Sequence, residues 1–171
     1  MAKVPRDCNS SGTSEVIGVC KERIKMYVAG PWFTEYAKAQ LDYFKKIYNE
    51  VKDDANLCIY RCYFPDEHNT GSAIDTFNSN IRAIDECDCL VALISEKDVG
   101  TAFEIGFARH KGIPIMLIGE TEETFKSKTN IMIAFASDKW CITNKQLYNL
   151  FKGNIRSDDC VYISEDWEGK E

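Results

Sequence analysis

The sequence predicts an α/β fold built on a five-stranded, mostly parallel, doubly wound sheet. Three observations predict it. Short apolar runs alternate along the chain with segments of helical periodicity. One run, Cys89 to Ser95 (CLVALIS), is apolar at successive positions, as a strand covered on both faces of a parallel sheet must be. The chain has 171 residues and 44% hydrophobic composition, enough for one domain with a sizeable core.

The elements follow in order. Ile24 to Ala29 (IKMYVA) is a strand that ends in the turn Gly30-Pro31. Residues 34 to 52 are a helix, because Ala37, Leu41, Phe44, Ile47, Tyr48 and Val51 recur at steps of three and four. Cys58 to Phe64 (CIYRCYF) is a second strand, stopped by Pro65 and followed by the loop DEHNTGS. Asp75 to Glu86 is a second helix with Phe77, Ile81 and Ile84 on one face. Cys89 to Ser95 is the buried central strand, and Gly100 to Lys111 a third helix closed by Gly112. Ile113 to Ile118 (IPIMLI) is a fourth strand. Lys139 to Ile142 (KWCI) is a shorter fifth strand, and a last helix runs from about Asn144 to Lys152. Residues 1–22 are expected to form a flexible N-terminal extension, with residues 23–171 as the domain. No repeat or low-complexity segment appears.

Bulk properties exclude several function classes. A formal charge of −6 argues against long nucleic acids but not against neutral nucleosides. No stretch approaches the roughly 18 apolar residues of a membrane span, and the first 22 residues hold no apolar run long enough for a signal peptide. A reducing, cytoplasmic setting follows as the expectation, in which the eight cysteines are thiols. Cys58, Cys62, Cys87 and Cys89 sit among apolar and aromatic residues without C-x2-C spacing, and His68 and His110 lack partners at metal spacing. They read as buried or half-buried small hydrophobes, and no metal or organic cofactor is called for.

Doubly wound sheets bind ligands at the carboxyl ends of their strands, which directs attention to the loops at 30–36, 65–73, 95–104 and 119–132. Residues 98 to 108, DVGTAFEIGFA, stand out there. On a helical wheel, Val99, Ala102, Phe103, Gly106, Phe107 and His110 fall on the expected packing side. Gly100, Glu104 and Ala108 form a line at i, i+4 and i+8, one acid between two residues with almost no side chain. The nearby helix N-terminus is expected to favour the anionic form of Glu104. An accessible carboxylate in a cleft suits attack on a sugar C1 carbon. The spacing alone leaves open a capping Asp98 beside a solvated Glu104.

Four segments in order resemble the nucleoside 2-deoxyribosyltransferases: MYVAGPWFTE (Met26 to Glu35), FNSNIRAIDECDCLVALI (Phe77 to Ile94), DVGTAFEIGFA and TNIMIAFA (Thr129 to Ala136). The resemblance spans roughly residues 24 to 150. It implies a flavodoxin-like three-layer fold, a dimer-based homo-oligomer, in some cases hexameric, and transfer of 2-deoxyribose between nucleobases with retention at C1′. Carried over, Glu104 would be the nucleophile, Tyr27 would orient it, and Asp98 would hold sugar hydroxyls or move protons. Asn130, with Met132 beside it, would reach the 5′-hydroxyl in a neighbouring subunit. Gly30, Phe33, Asn69, Asn80 and Gly100 complete the expected substrate-binding set, with Phe33 and Tyr27 as a wall against ribose. The implied partners are 2-deoxynucleosides and free nucleobases. Asn80 is a departure, since some family members carry an aspartate there and an amide cannot donate a proton as an acid does.

Two rival readings also fit the sequence. One is a glycosidase of deoxynucleoside 5′-monophosphates, with water as acceptor. That group resembles the same fold but tends to carry a Gly-Ser-Ile-Arg-Gly-like phosphate loop, where this chain has AGPWFTE. The other is a non-catalytic nucleoside- or nucleotide-sensing module.

Overall fold

The structure, a computed structural model, describes residues 23–54, 56–68, 71–94, 96–119, 121, 129–138, 140–155 and 161–162, with the backbone alone at 140–141 and 161–162. The strands are β1 (Ile24–Ala29), β2 (Tyr60–Tyr63), β3 (Cys89–Leu93), β4 (Ile115–Gly119), β5 (Trp140–Thr143) and β6 (Val161–Tyr162). The helices, numbered by chain order, are α1 (Glu35–Val51), α2 (Ala73–Asp85), α3 (Val99–Lys111), α4 (Ile131–Ala136) and α5 (Leu147–Phe151).

The sheet order is β2-β1-β3-β4-β5-β6. The first five strands run parallel, and β6 pairs antiparallel with β5. The five predicted strands are therefore present, with one added. Two residues are too few to carry a period-2 signal, which is why β6 is silent in the sequence.

Alternation along the strands divides the core into two layers. Met26, Val28, Val91, Leu93 and Ile118 face α1 and α5. Tyr27, Ala29, Leu90, Ala92, Ile115 and Leu117 face α2, α3 and α4. On α1 the buried residues are Ala37, Leu41, Phe44, Tyr48 and Val51, the stripe the periodicity predicts. Its first turn is capped by Thr34, whose hydroxyl accepts from the Ala37 amide at 3.1 Å. Gly112 ends α3 at φ 73°, a left-handed conformation that glycine adopts without steric cost.

The predicted packing face of α3 is corrected. Thr101, Ile105 and Ala108 are buried, whereas Val99 is 84% and Phe103 52% exposed, Gly106 and His110 are exposed, and Phe107 is half-buried. The helix lies on the sheet through Thr101, Ile105 and Ala108, with Phe107 packed at the edge of that core, so Phe103 points away from the sheet. Hydrophobicity summed around a wheel cannot see that choice of face.

The described thiols behave as expected. Cys58 is buried and Cys62, Cys87 and Cys89 are half-buried, all unpaired. Burial pushes Cys87 up to about 11 and Cys89 up to about 12, and Cys62 well above the usual thiol range, so these groups stay protonated. Among the described residues no helix is long and apolar enough to cross a membrane.

Candidate active site

Strand β1 lies between β2 and β3, so the chain winds one way from β1 to β2 and the other way from β1 to β3. The crevice where such a sheet takes ligands opens between the loops that leave β1 and β3. The two strand ends are pressed together there. A Cβ on Gly30 would stand 3.1 Å from Leu93 Cβ, closer than most real contacts, so glycine is needed for the approach. Across the same gap Thr34 Oγ1 lies 2.8 and 2.9 Å from the two carboxylate oxygens of Glu96.

Two of the predicted residues form the centre of the site. Tyr27 is fully buried, and its hydroxyl donates to Glu104 Oε1 at 2.5 Å. Tyr27 sits on the face of β1 that looks at α3, and Glu104 flanks the buried stripe of that helix, so the pair forms beneath it. Burial, then the neighbouring carboxylate, raises the Tyr27 phenol well above its ordinary range, so it remains a proton donor. With no exposed surface, Tyr27 acts on Glu104 and offers no wall to a sugar.

Glu104 does not behave as the helix N-terminus suggested. Burial pushes its carboxyl up to about 7, the Tyr27 hydrogen bond pulls it down, and the charge of Asp98 raises it further. Glu104 is the sixth residue of α3, and the dipole and free amides act mainly within the first turn. Desolvation therefore prevails. The carboxyl is poised near neutrality, and when ionised its Oε2 is left free of the phenol.

Asp98 fills the capping role that sequence allowed. Its Oδ2 accepts from the Thr101 amide at 2.6 Å and the Thr101 hydroxyl at 2.8 Å. A Cβ on Gly100 would lie 3.1 Å from that same oxygen, so a side chain there would crowd the cap. Cap and nucleophile candidate are thus placed by one helix, on which Gly100 is exposed and Ala108 fully buried.

Tyr63 and His68 are functional candidates that sequence reasoning missed. Tyr63 stands beside Tyr27 in the β1–β2 register, with ring centroids 5.5 Å apart and planes at 15°. His68 stacks on Tyr63 at 4.2 Å and 9°. The Tyr63 hydroxyl lies 3.2 Å from Ser79 Oγ and donates to Asn80 Oδ1 at 3.4 Å. Asn80 also lines an open depression of about 480 Å³ with Gly71, Ala73, Thr76 and Phe77. The signal was there: tyrosines at the inward positions of two paired strands must meet.

Other predicted residues stand apart from this centre. Phe33 is 75% exposed and meets only Trp32 edge-on at 5.8 Å among the described ring pairs. Asn130 caps α4, its Oδ1 accepting from the Met132 amide at 2.8 Å, and Met132 is 76% exposed. Asn69 lies outside the described residues. Asp66 and Glu67, in the loop after β2, pair with Lys45 at 2.5 and 3.0 Å.

Comparison with known proteins decides the family. The sequence model described as nucleoside 2-deoxyribosyltransferase matches residues 26–151, most of the chain. The protein belongs to the nucleoside 2-deoxyribosyltransferase family. No curated protein matches the chain. Among solved structures, a 2-deoxyribosyltransferase from Bacillus psychrosaccharolyticus superposes with a TM-score of 0.61 at 20% identity, over 82% of this chain and 98% of that one. A conserved protein from Enterococcus faecalis gives 0.59 at 19% identity, over 78% and 99%. A CMP N-glycosidase from Clostridium botulinum gives 0.50 at 15%, over 74% and 96%. At such identities the structural likenesses show the fold, and it is the same α/β fold in this deoxyribosyltransferase family member. The matched span contains Tyr27, Asp98, Glu104 and Asn130.

Proposed function

We propose that the protein transfers 2-deoxyribose between nucleobases by a retaining double displacement on Glu104. The observation that carries this reading is the buried Tyr27–Glu104 pair beside Asp98, with the carboxyl near neutrality. Ionised Glu104 attacks C1′, the C1′–N bond breaks, and its electron pair leaves with the base, which takes up a proton. The resulting 2-deoxyribosyl ester is attacked at C1′ by a second base, which displaces the carboxylate and gives up its proton. Two inversions at one carbon return the original configuration. Tyr27, held protonated, keeps one carboxylate oxygen fixed and the other aimed. Asn80 offers hydrogen bonds to a base edge but no acidic proton, so Asp98 or water supplies the proton to the departing base.

Incubation with deoxyinosine, with and without adenine, tests the reaction. Hypoxanthine is expected to appear many times faster with adenine present, together with deoxyadenosine. Equal release without adenine would show hydrolysis, as in a glycosidase. Mass spectrometry after treatment with a 2-fluoro-2-deoxy nucleoside should find the sugar on Glu104.

A second copy of the chain completes the site in this reading. Phe77, Phe103 and Phe107 form a row with centroids 6.2 and 6.3 Å apart, and α4, which packs against α3, exposes Ile131 and Met132. A surface so apolar suits burial against a like surface, and α4 then delivers Asn130 and Met132 across the joint. Phe103→Glu is expected to dissociate the oligomer in sedimentation and to abolish transfer. Mixing inactive Asn130→Ala and Glu104→Ala proteins should restore about a quarter of wild-type activity, the fraction of sites in randomly mixed dimers with both residues intact. Activity no higher than the sum of the two variants would place Asn130 in its own chain.

A further inference from the structure

Resting on that reading, we infer that Glu96 makes the cleft select a neutral 5′ end and reject a phosphorylated one. Sheets of this winding present an anion site at the switch point, where the loop after the first strand meets the N-terminus of the following helix. In this protein that place is filled from within. Glu96, half-buried in the loop after β3, puts both carboxylate oxygens within 2.9 Å of Thr34 Oγ1, the cap of the 17-residue helix α1. The Thr34 hydroxyl is used in full, its proton shared by the carboxylate oxygens and a lone pair taken by the Ala37 amide. A phosphate entering here would have to displace the carboxylate and then sit against it.

The surrounding charge has the same sign. Glu35 lies in the first turn of α1, and Asp98 follows Glu96 two residues on. The cations in residues 30–38 and 94–104 are Lys97, which is exposed, and Lys38, which pairs with Glu35 at 3.1 Å. A sugar 5′-hydroxyl can donate a hydrogen bond to an acid in such a mouth. A phosphate dianion has only acceptors and repels it. Glu96 is thus a specificity-determining residue, and its carboxylate does not take part in bond making.

The test compares kcat/KM for deoxyinosine and deoxyinosine 5′-monophosphate in wild type, Glu96→Gln and Glu96→Ala. Glu96→Gln keeps an oxygen for Thr34 and removes the charge, and Glu96→Ala removes both. The ratio should move toward the monophosphate by roughly 10- to 100-fold in both variants, as loss of one close like charge implies. A ratio within about twofold of wild type in both, as a purely structural Thr34–Glu96 tie would leave it, overturns the inference. Should wild type turn over neither compound, the reading of function has failed, and calorimetric binding of the same two compounds to wild type and Glu96→Gln decides the matter. Relative tightening of the monophosphate in the variant supports the role of Glu96. An unchanged preference, or no binding by either protein, ends it.

Discussion

Glu104→Gln is expected to abolish base exchange while making the folded protein more stable at alkaline pH. Loss of the attacking carboxylate removes the covalent route, so kcat/KM should fall by roughly 10⁴-fold or more. The gain in stability comes from burial. The carboxyl titrates at about 7 in the folded protein against an ordinary value of 4.5, because desolvation disfavours its charge. A raised folded-state value means the native state holds its proton longer than the unfolded chain does. The contribution of this group to stability is therefore greatest below about pH 4.5, falls as pH rises toward 7, and stays level above it. That interval corresponds to roughly 3 kcal/mol. A neutral amide of the same shape escapes the penalty, so the variant should unfold about 2 kcal/mol harder than wild type at pH 8 and show little gain at pH 4. Urea denaturation at the two pH values measures the difference, and equal effects at both would mean that Glu104 is solvated. The same carboxyl sets the acid limb of activity, which should rise through about pH 7. Tyr27→Phe removes the hydrogen bond that favours the charged form, and so should move that limb to higher pH.

Phe151→Ala is the core change with the largest expected cost, about 3–5 kcal/mol. Phe151 is fully buried, with its ring 5.3 Å from Phe44 at 79° and 5.4 Å from Tyr48 at 50°. It pins the short helix α5 against α1, and its carbonyl takes the Ile59 amide at 2.9 Å just before β2. Truncation leaves a ring-sized void that neighbouring rings cannot collapse to fill. At this chain length the melting temperature should drop by about 10 °C. Because Phe151 lies on the sheet face opposite Tyr27, the variant below its melting point should keep kcat close to wild type. A loss under about 1.5 kcal/mol would mean that the last helix is not docked as described.

These two residues also show how far the sequence reaches. The helix carrying Phe151 was legible in the sequence, but its partners were not, since Phe44 and Phe151 are far apart in the chain and meet only once the sheet brings α1 and α5 to one face. Glu104 was legible as a candidate from the small residues around it and from the resemblance in four segments. Its protonation was not, because a pKa depends on burial and on what the other elements bring near.

What the sequence by itself determined is the order and kind of the five parallel strands and of the four helices read from it, together with the family resemblance; α4 and the antiparallel β6 came only from the structure. Periods of 3.6 and 2, the stop at Gly112, and the apolar run of the central strand are local properties that the chain carries wherever it is placed. Only the tertiary structure decided which face of α3 meets the sheet, that Tyr27 reaches Glu104 from beneath, and that Glu96 closes on Thr34. Each of those is a contact between segments distant in sequence. Each is set by how closely two backbones approach, a quantity that packing fixes and periodicity does not.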